Sequence, residues 1–358
     1  MGVSHARSGL LVRVMLSLTM LTGTVVAAPA AVPACEPPPA PFNMTVVGHS
    51  GGTFSSAETT GSFLLAVRGN ALVSYDMSSG VSVPAGVASA PELESSLFLA
   101  ADRAYVVGSN HFGIYDISDP AAPELLAVAD MPSSEYRIVG FFAAGAYAYA
   151  GYEKLGSFGT KIFNVQDPAS ASVVAYSGLA LTDRRPDVVG QNVFAVNGAG
   201  RIDIFDLSSP TSPHVDGSFG TGVADAVVDG QYLYASLASA AGGVSAYSIS
   251  SPGSAVFQGT TPGTTGGSVD AVADKLWRVA GDSIELWNTT NKSAPVLADT
   301  DVLTGARQVV AAADLSAYAL TGPDLNGDSS VACYETVSVP GLDTLFDTIS
   351  GRAGDGGA

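Results

Sequence analysis

The stretch Ile114-Tyr115-Asp116-Ile117-Ser118-Asp119-Pro120-Ala121-Ala122-Pro123 carries the pattern that decides the fold. An apolar segment ends in an aromatic residue, an acid follows, and a proline-rich turn stops the strand because proline cannot donate to a β-ladder. The same order returns in Ile204-Phe205-Asp206-Leu207-Ser208-Ser209-Pro210-Thr211-Ser212-Pro213. The chain therefore uses a strand followed by this turn as a repeated unit.

An aromatic residue followed by a small polar or acidic residue occurs seven times at similar spacing. The pairs are Tyr75-Asp76, Tyr115-Asp116, Phe163-Asn164, Phe205-Asp206, Tyr247-Ser248, Trp287-Asn288 and Tyr334-Glu335, and neighbouring pairs lie 40 to 48 residues apart. Repeats of this length with four short strands each are typical of propeller blades. We predict an all-β fold, a single seven-bladed β-propeller with four-stranded blades.

The acid after the aromatic has a structural interpretation. An Asp at the start of a turn commonly accepts a hydrogen bond from the backbone two residues later. We therefore expect Asp76, Asp116 and Asp206 to fix the turns and not to act in catalysis.

These repeats resemble the LVIVD-repeat proteins, whose core is a strand that ends in Asp and a proline-containing turn. The resemblance spans roughly 42–340 and is clearest at Ile114–Pro123 and Ile204–Pro213. It implies an exported or cell-surface propeller. It names no function, because one fold carries many functions.

The ends of the repeat region predict how the ring closes. After Tyr334 the chain reads Thr336-Val337-Ser338-Val339-Pro340 and then loses strand character, so the outer strand of the last blade is missing there. Met44-Thr45-Val46-Val47 stands ahead of the first blade. An open ring would leave a sheet edge exposed, so we predict that this N-terminal strand completes the last blade.

The beginning of the chain has the layout of an export signal. Arg7 and Arg13 precede an apolar run, 14–26, which ends in Ala27-Ala28 and is short for a membrane span. We predict a signal peptide at 1–28, a Pro/Ala-rich linker at 29–41, the propeller at 42–340 and a disordered Gly-rich tail at 341–358. The protein is then extracytoplasmic (secreted, periplasmic or at the cell surface), with no transmembrane segment after the signal.

The two cysteines lie near opposite ends of the propeller region. The closure hypothesis places Cys35 and Cys333 on neighbouring segments, and export permits a disulfide. We favour this disulfide. The alternative is lipid anchoring at Cys35, which follows Val32-Pro33-Ala34 in loose resemblance to a lipoprotein cleavage site.

One loop has the donor spacing of a calcium site. Asp324, Asn326 and Asp328 alternate as oxygen donors, Ser330 adds a carbonyl, and Glu335 stands at the twelfth position. Ser329 replaces the glycine that such loops normally contain, and a polar turn is the alternative. Calcium is the one cofactor that the sequence suggests.

The charge limits the classes of partner. The chain has 33 Asp and Glu against 15 Lys and Arg, a net charge of −18, which disfavours nucleic acid. The classes of partner that the charge leaves open are a protein and a carbohydrate.

Two blade-connecting loops carry candidates for a binding face. They are Arg184 and Arg185 in one loop, and Glu135 and Tyr136 in the preceding one. A cationic pair could bind a carboxylate of a partner. The alternative is a surface pair that balances the neighbouring Asp183 and Asp187.

No motif makes a convincing catalytic site. Gly48-His49-Ser50-Gly51-Gly52 resembles a nucleophile elbow, but that elbow needs a following helix, which the sequence does not predict. At the central channel the sequence indicates only scattered acids and no histidine cluster. We therefore expect no catalytic residues and a noncatalytic binding or scaffold module. The alternatives are an exported hydrolase or lyase with a site at the central channel, and a calcium-stabilised structural surface protein.

Overall fold

The computed structural model describes residues 42–51, 54–78, 83–90, 96–183, 185–239, 242–251, 254–312, 316–322 and 330–338. Their strands form seven four-stranded antiparallel sheets, and the first strands of successive sheets lie side by side around a ring. The protein is an all-β, seven-bladed propeller, as the repeat predicts. Within the described residues, no helix is long and apolar enough to cross a membrane.

The strands follow one another blade by blade. The N-terminal strand is β1 (Phe42–Gly51). Blade one holds β2 (Phe54–Thr60), β3 (Phe63–Arg68), β4 (Ala71–Asp76) and β5 (Val83–Ser89). Blade two holds β6 (Ser96–Ala100), β7 (Arg103–Val107), β8 (His111–Asp116) and β9 (Glu124–Asp130). Blade three holds β10 (Arg137–Ala144), β11 (Tyr147–Lys154), β12 (Ser157–Asn164) and β13 (Ser172–Ser177).

The second half repeats this arrangement. Blade four holds β14 (Asp187–Val189), β15 (Asn192–Val196), β16 (Ile202–Asp206) and β17 (His214–Phe219). Blade five holds β18 (Val223–Asp229), β19 (Tyr232–Leu237), β20 (Gly243–Ser251) and β21 (Ser254–Pro262). Blade six holds β22 (Val269–Val272), β23 (Lys275–Val279), β24 (Ser283–Asn288) and β25 (Val296–Val302). Blade seven holds β26 (Ala306–Ala311), β27 (Ala317–Thr321), β28 (Ser330–Ser338) and, as its outer strand, β1.

The aromatic residue of each repeat belongs to the core. All seven are buried, and they stand on the third strand of their blades. The apolar clusters lie between neighbouring blades, so that Leu65 of blade one packs in the same cluster as Leu97 of blade two. Phe54 of blade one and Leu320 of blade seven share another cluster. Burial between blades therefore continues around the whole ring.

A β-bulge stands opposite each repeat aromatic in the outermost strand. In blades one to six the pairing of the third and fourth strands shifts at the aromatic. The closing strand repeats this irregularity, since Val46 pairs with Tyr334 and Gly48 with Cys333, which leaves Val47 as the extra residue. The N-terminal strand thus completes blade seven with the same register feature as the others, which confirms the predicted closure.

Three of the turns that follow the repeat aromatics are fixed by a hydrogen bond to the acid, as predicted. The backbone N–H of Ser78 donates to Asp76 Oδ1 at 2.9 Å, and those of Ser118 and Ser208 donate to Asp116 and Asp206 at 2.8 and 2.6 Å. Hydrogen bonds from these serines lower the pKa of each aspartate. Asn164 and Asn288 accept the equivalent backbone bonds at 3.0 and 2.8 Å.

One ion pair lies inside the fold of blade six. Arg278 and Glu285 are both buried, and Arg278 Nη1 donates to Glu285 Oε2 at 2.6 Å. The same carboxylate accepts from Trp287 Nε1 at 2.9 Å and from the Thr264 hydroxyl at 2.8 Å. Arg278 Nε donates to Ser236 Oγ at 3.0 Å, which ties blade six to blade five.

Several sequence predictions fall outside the described residues. These are the signal peptide, the linker with Cys35, the tail after Ser338, Arg184, and Asp324, Asn326 and Asp328 of the calcium loop. Ser330, Cys333 and Glu335 lie on β28, opposite Gly51, Gly48 and Thr45 of β1.

Candidate functional site

Carboxylates converge on the central channel from several blades. The first strands surround the channel, and four of them carry an acid there: Glu58 on β2, Asp187 on β14, Asp225 on β18 and Asp270 on β22. Asp183 joins them from the loop ahead of blade four. The sequence hypothesis of only scattered acids at the channel is therefore wrong.

Arg185 places its guanidinium among these acids. Its Nε donates to Glu58 Oε1 at 2.9 Å, and its Nη1 donates to Ser268 Oγ at 3.0 Å. The guanidinium also lies 3.8 Å from Asp225 Oδ2 and 3.9 Å from Asp270 Oδ2. One side chain from the loop before blade four thus contacts blades one, five and six across the channel.

Most of these acids also join one blade to the next through backbone hydrogen bonds. Val228 N donates to Asp187 at 2.6 Å, Val269 N to Asp225 at 3.0 Å and Ala311 N to Asp270 at 2.9 Å. The Gln308 side chain makes the same kind of link from blade seven to Ala57 of blade one, donating to its carbonyl at 2.7 Å. The channel acids therefore have a structural role in holding the ring.

The channel environment disfavours the charged form of its carboxyl groups. Burial raises the pKa of Glu58 to about 7; Arg185 opposes the rise, and Asp270 and Asp225 add to it. Burial, with repulsion from Asp225, raises the pKa of Asp183 to about 6. Burial also raises the pKa of Asp187, Asp225 and Asp270. One guanidinium does not offset five partly desolvated carboxylates.

Arg185 separates two cavities in the channel. One, of about 460 Å³, has an apolar wall that includes Phe98, Leu99 and Val227 and a charged side formed by Glu58, Asp187 and Asp270. The other, of about 360 Å³, has a lining that is half polar and half apolar, and we call it the serine cavity; it is lined by Ser55, Ser56, Ser96, Asp183, Ser268 and Arg307, among others. Arg185 and Asp225 line both cavities.

A second candidate site lies on the outside of blade three. The hairpin of β11 and β12 has eight residues in each strand, and its turn contains Leu155 and Gly156. Leu155 has φ of +51°, which is unfavourable for a residue with a side chain, and it is 90% exposed. The successive positive φ values of Leu155 and Gly156 are those of a type I′ hairpin turn, and Ala101 and Ala273 have similar φ values in other hairpin turns, so the turn itself accounts for this backbone.

Tyrosine and lysine side chains cover one face of this hairpin. Lys161 Nζ lies 5.1, 5.5 and 5.0 Å from the ring centroids of Tyr136, Tyr152 and Tyr176. Lys154 Nζ lies 4.5 Å from the Tyr136 ring, and Tyr136 and Tyr152 meet edge to face at 4.9 Å. Tyr176 is 75% exposed. We define the blade-three patch as Glu135, Tyr136, Tyr152, Lys154, Leu155, Lys161 and Tyr176.

The structure assigns the predicted binding residues to two different places. Glu135 pairs with Lys154 at 2.8 Å, and Tyr136 packs on Tyr152, so both belong to the blade-three patch. Arg185 lies in the channel instead of on a common face with them. The sequence interpretation of Arg185 as a surface residue is wrong, because the side chain lies in the channel. It does help to balance Asp183 and Asp187, whose pKa it lowers, but it pairs directly with the acids of blades one, five and six.

One further group of side chains could hold a metal ion. Donor atoms of Asp206, His214 and Asp216 all lie within 4.8 Å of one another at the surface of blade four. His214 Nε2 is 3.0 Å from Asp216 Oδ1 and 3.7 Å from Asp206 Oδ2. The β-bulge of blade four brings Asp216 beside them, and the sequence spacing of the histidines did not indicate this group.

The fold and these sites define a class, the seven-bladed β-propeller, and comparisons with known proteins agree at that level. No protein-family model and no curated protein matches the sequence. A chain of a solved structure described as "Crystal Structure of Mitotic Checkpoint Complex" is similar, with a TM-score of 0.60 and 11% identity over 88% of this chain and 98% of that one. The Cps50 (Swd1) β-propeller domain of Myceliophteria thermophila has a TM-score of 0.61 and 11% identity over 83% and 100%. At this identity the likeness shows the fold alone.

Proposed function

We propose that this chain is a noncatalytic, extracytoplasmic module that binds a protein partner through the blade-three patch. The observation that carries the proposal is Leu155, an apolar side chain 90% exposed at the tip of a hairpin. Exposed Leu155 and Tyr176 would fill pockets on the partner, and Lys154 and Lys161 would lie around them. Interfaces commonly combine aromatic anchors with such a charged rim.

The tyrosines favour a protein over a carbohydrate partner at this surface. A sugar ring would have to stack on a tyrosine face, but Lys161 lies over the rings of Tyr136, Tyr152 and Tyr176. Similarity in fold to a chain from the mitotic checkpoint complex is consistent with a propeller that works inside an assembly. The predicted export signal at 1–28 and the resemblance to LVIVD-repeat proteins support an extracytoplasmic location for that assembly.

The proposal is tested with two matched double variants. L155D/Y176D places charges at the exposed apolar positions of the blade-three patch, whereas V256D/F257D does the same at an exposed pair on the outer strand of blade five. A partner isolated with the wild-type protein should be lost with the first variant and kept with the second. Equal retention by both variants would place the interface elsewhere.

A second candidate function is an exported enzyme that acts at the channel. The observation that favours it is Glu58, whose pKa is about 7 and which lines the 460 Å³ cavity. A carboxyl group with such a pKa can exchange protons near neutral pH. Hydrolysis or elimination activity that E58Q abolishes, while circular dichroism shows that the variant is still folded, would favour this candidate over a noncatalytic module.

We also propose two elements that strengthen the closing blade. Asp324, Asn326, Asp328, Ser330 and Glu335 would bind Ca²⁺ next to β28, and Cys35 would form a disulfide with Cys333. In the chain-entropy account, a bond that encloses nearly 300 residues contributes about 6 kcal/mol to stability. A free-thiol titration of the unfolded, unreduced protein tests the bond: no free thiol is expected, and two would contradict it.

A further inference from the structure

Two neighbouring strands of blade four bring a histidine and two aspartates together at the surface of the protein. Asp206 ends the third strand, β16, and His214 begins the outer strand, β17, directly opposite it. The pairing of the two strands then shifts, which leaves Asp216 as the extra residue of the β-bulge. Because a bulge re-aims the side chain that it carries, Asp216 can lie beside the other two.

The three side chains are separated by the distances expected of ligands around a single ion. His214 Nε2 lies 3.0 Å from Asp216 Oδ1 and 3.7 Å from Asp206 Oδ2. One donor atom from each residue lies within 4.8 Å of the other two. A tetrahedral zinc ion with bonds of about 2.1 Å holds its ligand atoms about 3.4 Å apart. Small rotations of these side chains would therefore let one ion contact all three.

The turn holds Asp206 in place and leaves it able to bind an ion. Its Oδ1 accepts from the backbone N–H of Ser208 at 2.6 Å, and its Oδ2 accepts from the Ser208 hydroxyl at 3.1 Å. These bonds also lower the pKa of the carboxyl group, so that it is ionised at neutral pH. A carboxylate oxygen has two lone pairs, and the second one on Oδ2 is available to an ion.

No other blade places a histidine, a cysteine or a carboxylate at the bulge. The corresponding residues are Val47, Ala85, Leu126, Val174, Gln258 and Ala298. Blade two is the most similar, since Asp116 stands opposite Glu124, but its bulge residue is a leucine. Turn formation accounts for Asp206 as it does for Asp116. It does not account for the histidine or for the second aspartate of blade four.

The donor set favours a transition metal over calcium or magnesium. Imidazole nitrogen is a good ligand for zinc and its neighbours in the first transition row, whereas Ca²⁺ and Mg²⁺ prefer oxygen ligands. Two carboxylates supply the negative charges that balance a divalent ion, and the net charge of −18 attracts cations to the whole surface. Three protein ligands leave a fourth position for water or for a group of another molecule.

We propose that Asp206, His214 and Asp216 form a Zn²⁺ site on the outer edge of blade four. The ion would join the end of β16 to the beginning of β17. The site shares no residue with the blade-three patch or with the predicted calcium loop, so each of the three proposals can fail while the others hold.

Titration calorimetry of the purified full-length protein with Zn²⁺ tests the site, and circular dichroism shows whether each variant is folded. H214A removes the nitrogen ligand, and D216N removes the charge at the bulge. H111A is the matched control, because His111 also stands opposite an acid, Asp130, across the third and fourth strands of its blade. Within the described residues, no metal-binding group of three includes His111.

The wild type should bind one Zn²⁺ in a step that H214A abolishes and H111A leaves unchanged. D216N should weaken this step at least about tenfold, since even the outer partners of a metal ligand contribute that much to affinity. Zn²⁺ should raise the melting temperature of the wild type and not that of H214A, and excess Ca²⁺ should not displace it. The proposal is overturned by a wild type that binds no Zn²⁺, by equal binding in H214A and H111A, or by displacement with Ca²⁺.

Discussion

Arg185 Nε lies 2.9 Å from Glu58 Oε1, so the loop before blade four is joined directly to the first strand of blade one across the channel. The same guanidinium approaches Asp225 and Asp270. The side chain is therefore the counter-ion of a group of acids that would otherwise repel one another. Both the stability of the ring and its pH dependence follow from this arrangement.

Replacing Arg185 should destabilise the propeller most strongly at high pH. R185Q leaves the channel acids without their cation, and we expect the free energy of unfolding to fall by about 2 kcal/mol or more at pH 8, since lost buried ion pairs cost up to 3–5 kcal/mol. At pH 5 the channel acids are more protonated, so the loss should be smaller. Urea unfolding at both pH values measures this. R137Q, which changes an exposed pair with Glu153, is the control and should lose little at either.

The wild-type protein should lose stability as pH rises from about 4.5 to about 7. Glu58 has a folded-state pKa of about 7, above its ordinary 4.5, and Asp183 has one of about 6 against 3.8. The folded state therefore holds more protons in this window, and deprotonation favours the unfolded state.

E58Q tests the origin of this pH dependence, because glutamine keeps the shape of the side chain and removes the charge. The slope of unfolding free energy against pH should become shallower in E58Q. E124Q, on the surface of blade two, should keep the wild-type slope. An unchanged slope in E58Q would show that other groups cause the dependence.

The ion pair inside blade six should tolerate paired replacement better than the loss of one partner. R278M leaves Glu285 buried without its cation, and we expect a loss of about 3–5 kcal/mol in chemical unfolding. R278M/E285L removes both charges and should recover part of that loss. If the single variant were as stable as the exposed control R137M, the pair would have no structural importance.

Calcium should raise the melting temperature if the loop at 324–330 binds it, because a ligand that binds only the folded state stabilises it. We expect a shift of several degrees between calcium and chelator in the wild type, and no shift in D324A. D282A changes the aspartate of the blade-six hairpin turn and should keep the shift. A wild-type melt indifferent to calcium would leave the loop as a polar turn.

The parts of the fold that sequence predicts are those encoded within one repeat. Tyr115 and Asp116 are adjacent in the chain, and burial of the ring and the turn bond to Ser118 are both local consequences. The closure was also predictable, because one strand was missing at the end and one was left over at the beginning. The first two inferences need only the pattern of a single blade, and the closure needs only a comparison of the strands at the two ends of the propeller.

The channel was not predictable in the same way. Glu58 and Arg185 are 127 residues apart, and only the closed ring brings them together. The sequence did carry a signal for polar groups at the channel. In the first strands of four blades a polar residue stands two positions before a valine: Asp187, Asp225, Asp270 and Gln308. Which of these acids would face Arg185 depends on the direction of one loop side chain, which no repeat pattern specifies.

The blade-three patch carries the central functional claim, and site-specific photo-crosslinking in the cells that produce the protein tests it most directly. A photoreactive residue is placed at Leu155, and the control position is Ala199, which is exposed in the corresponding hairpin turn of blade four. The account predicts a discrete protein adduct at position 155 and none at position 199. Absence of an adduct at 155, or the same adducts at both positions, would contradict a partner surface on blade three.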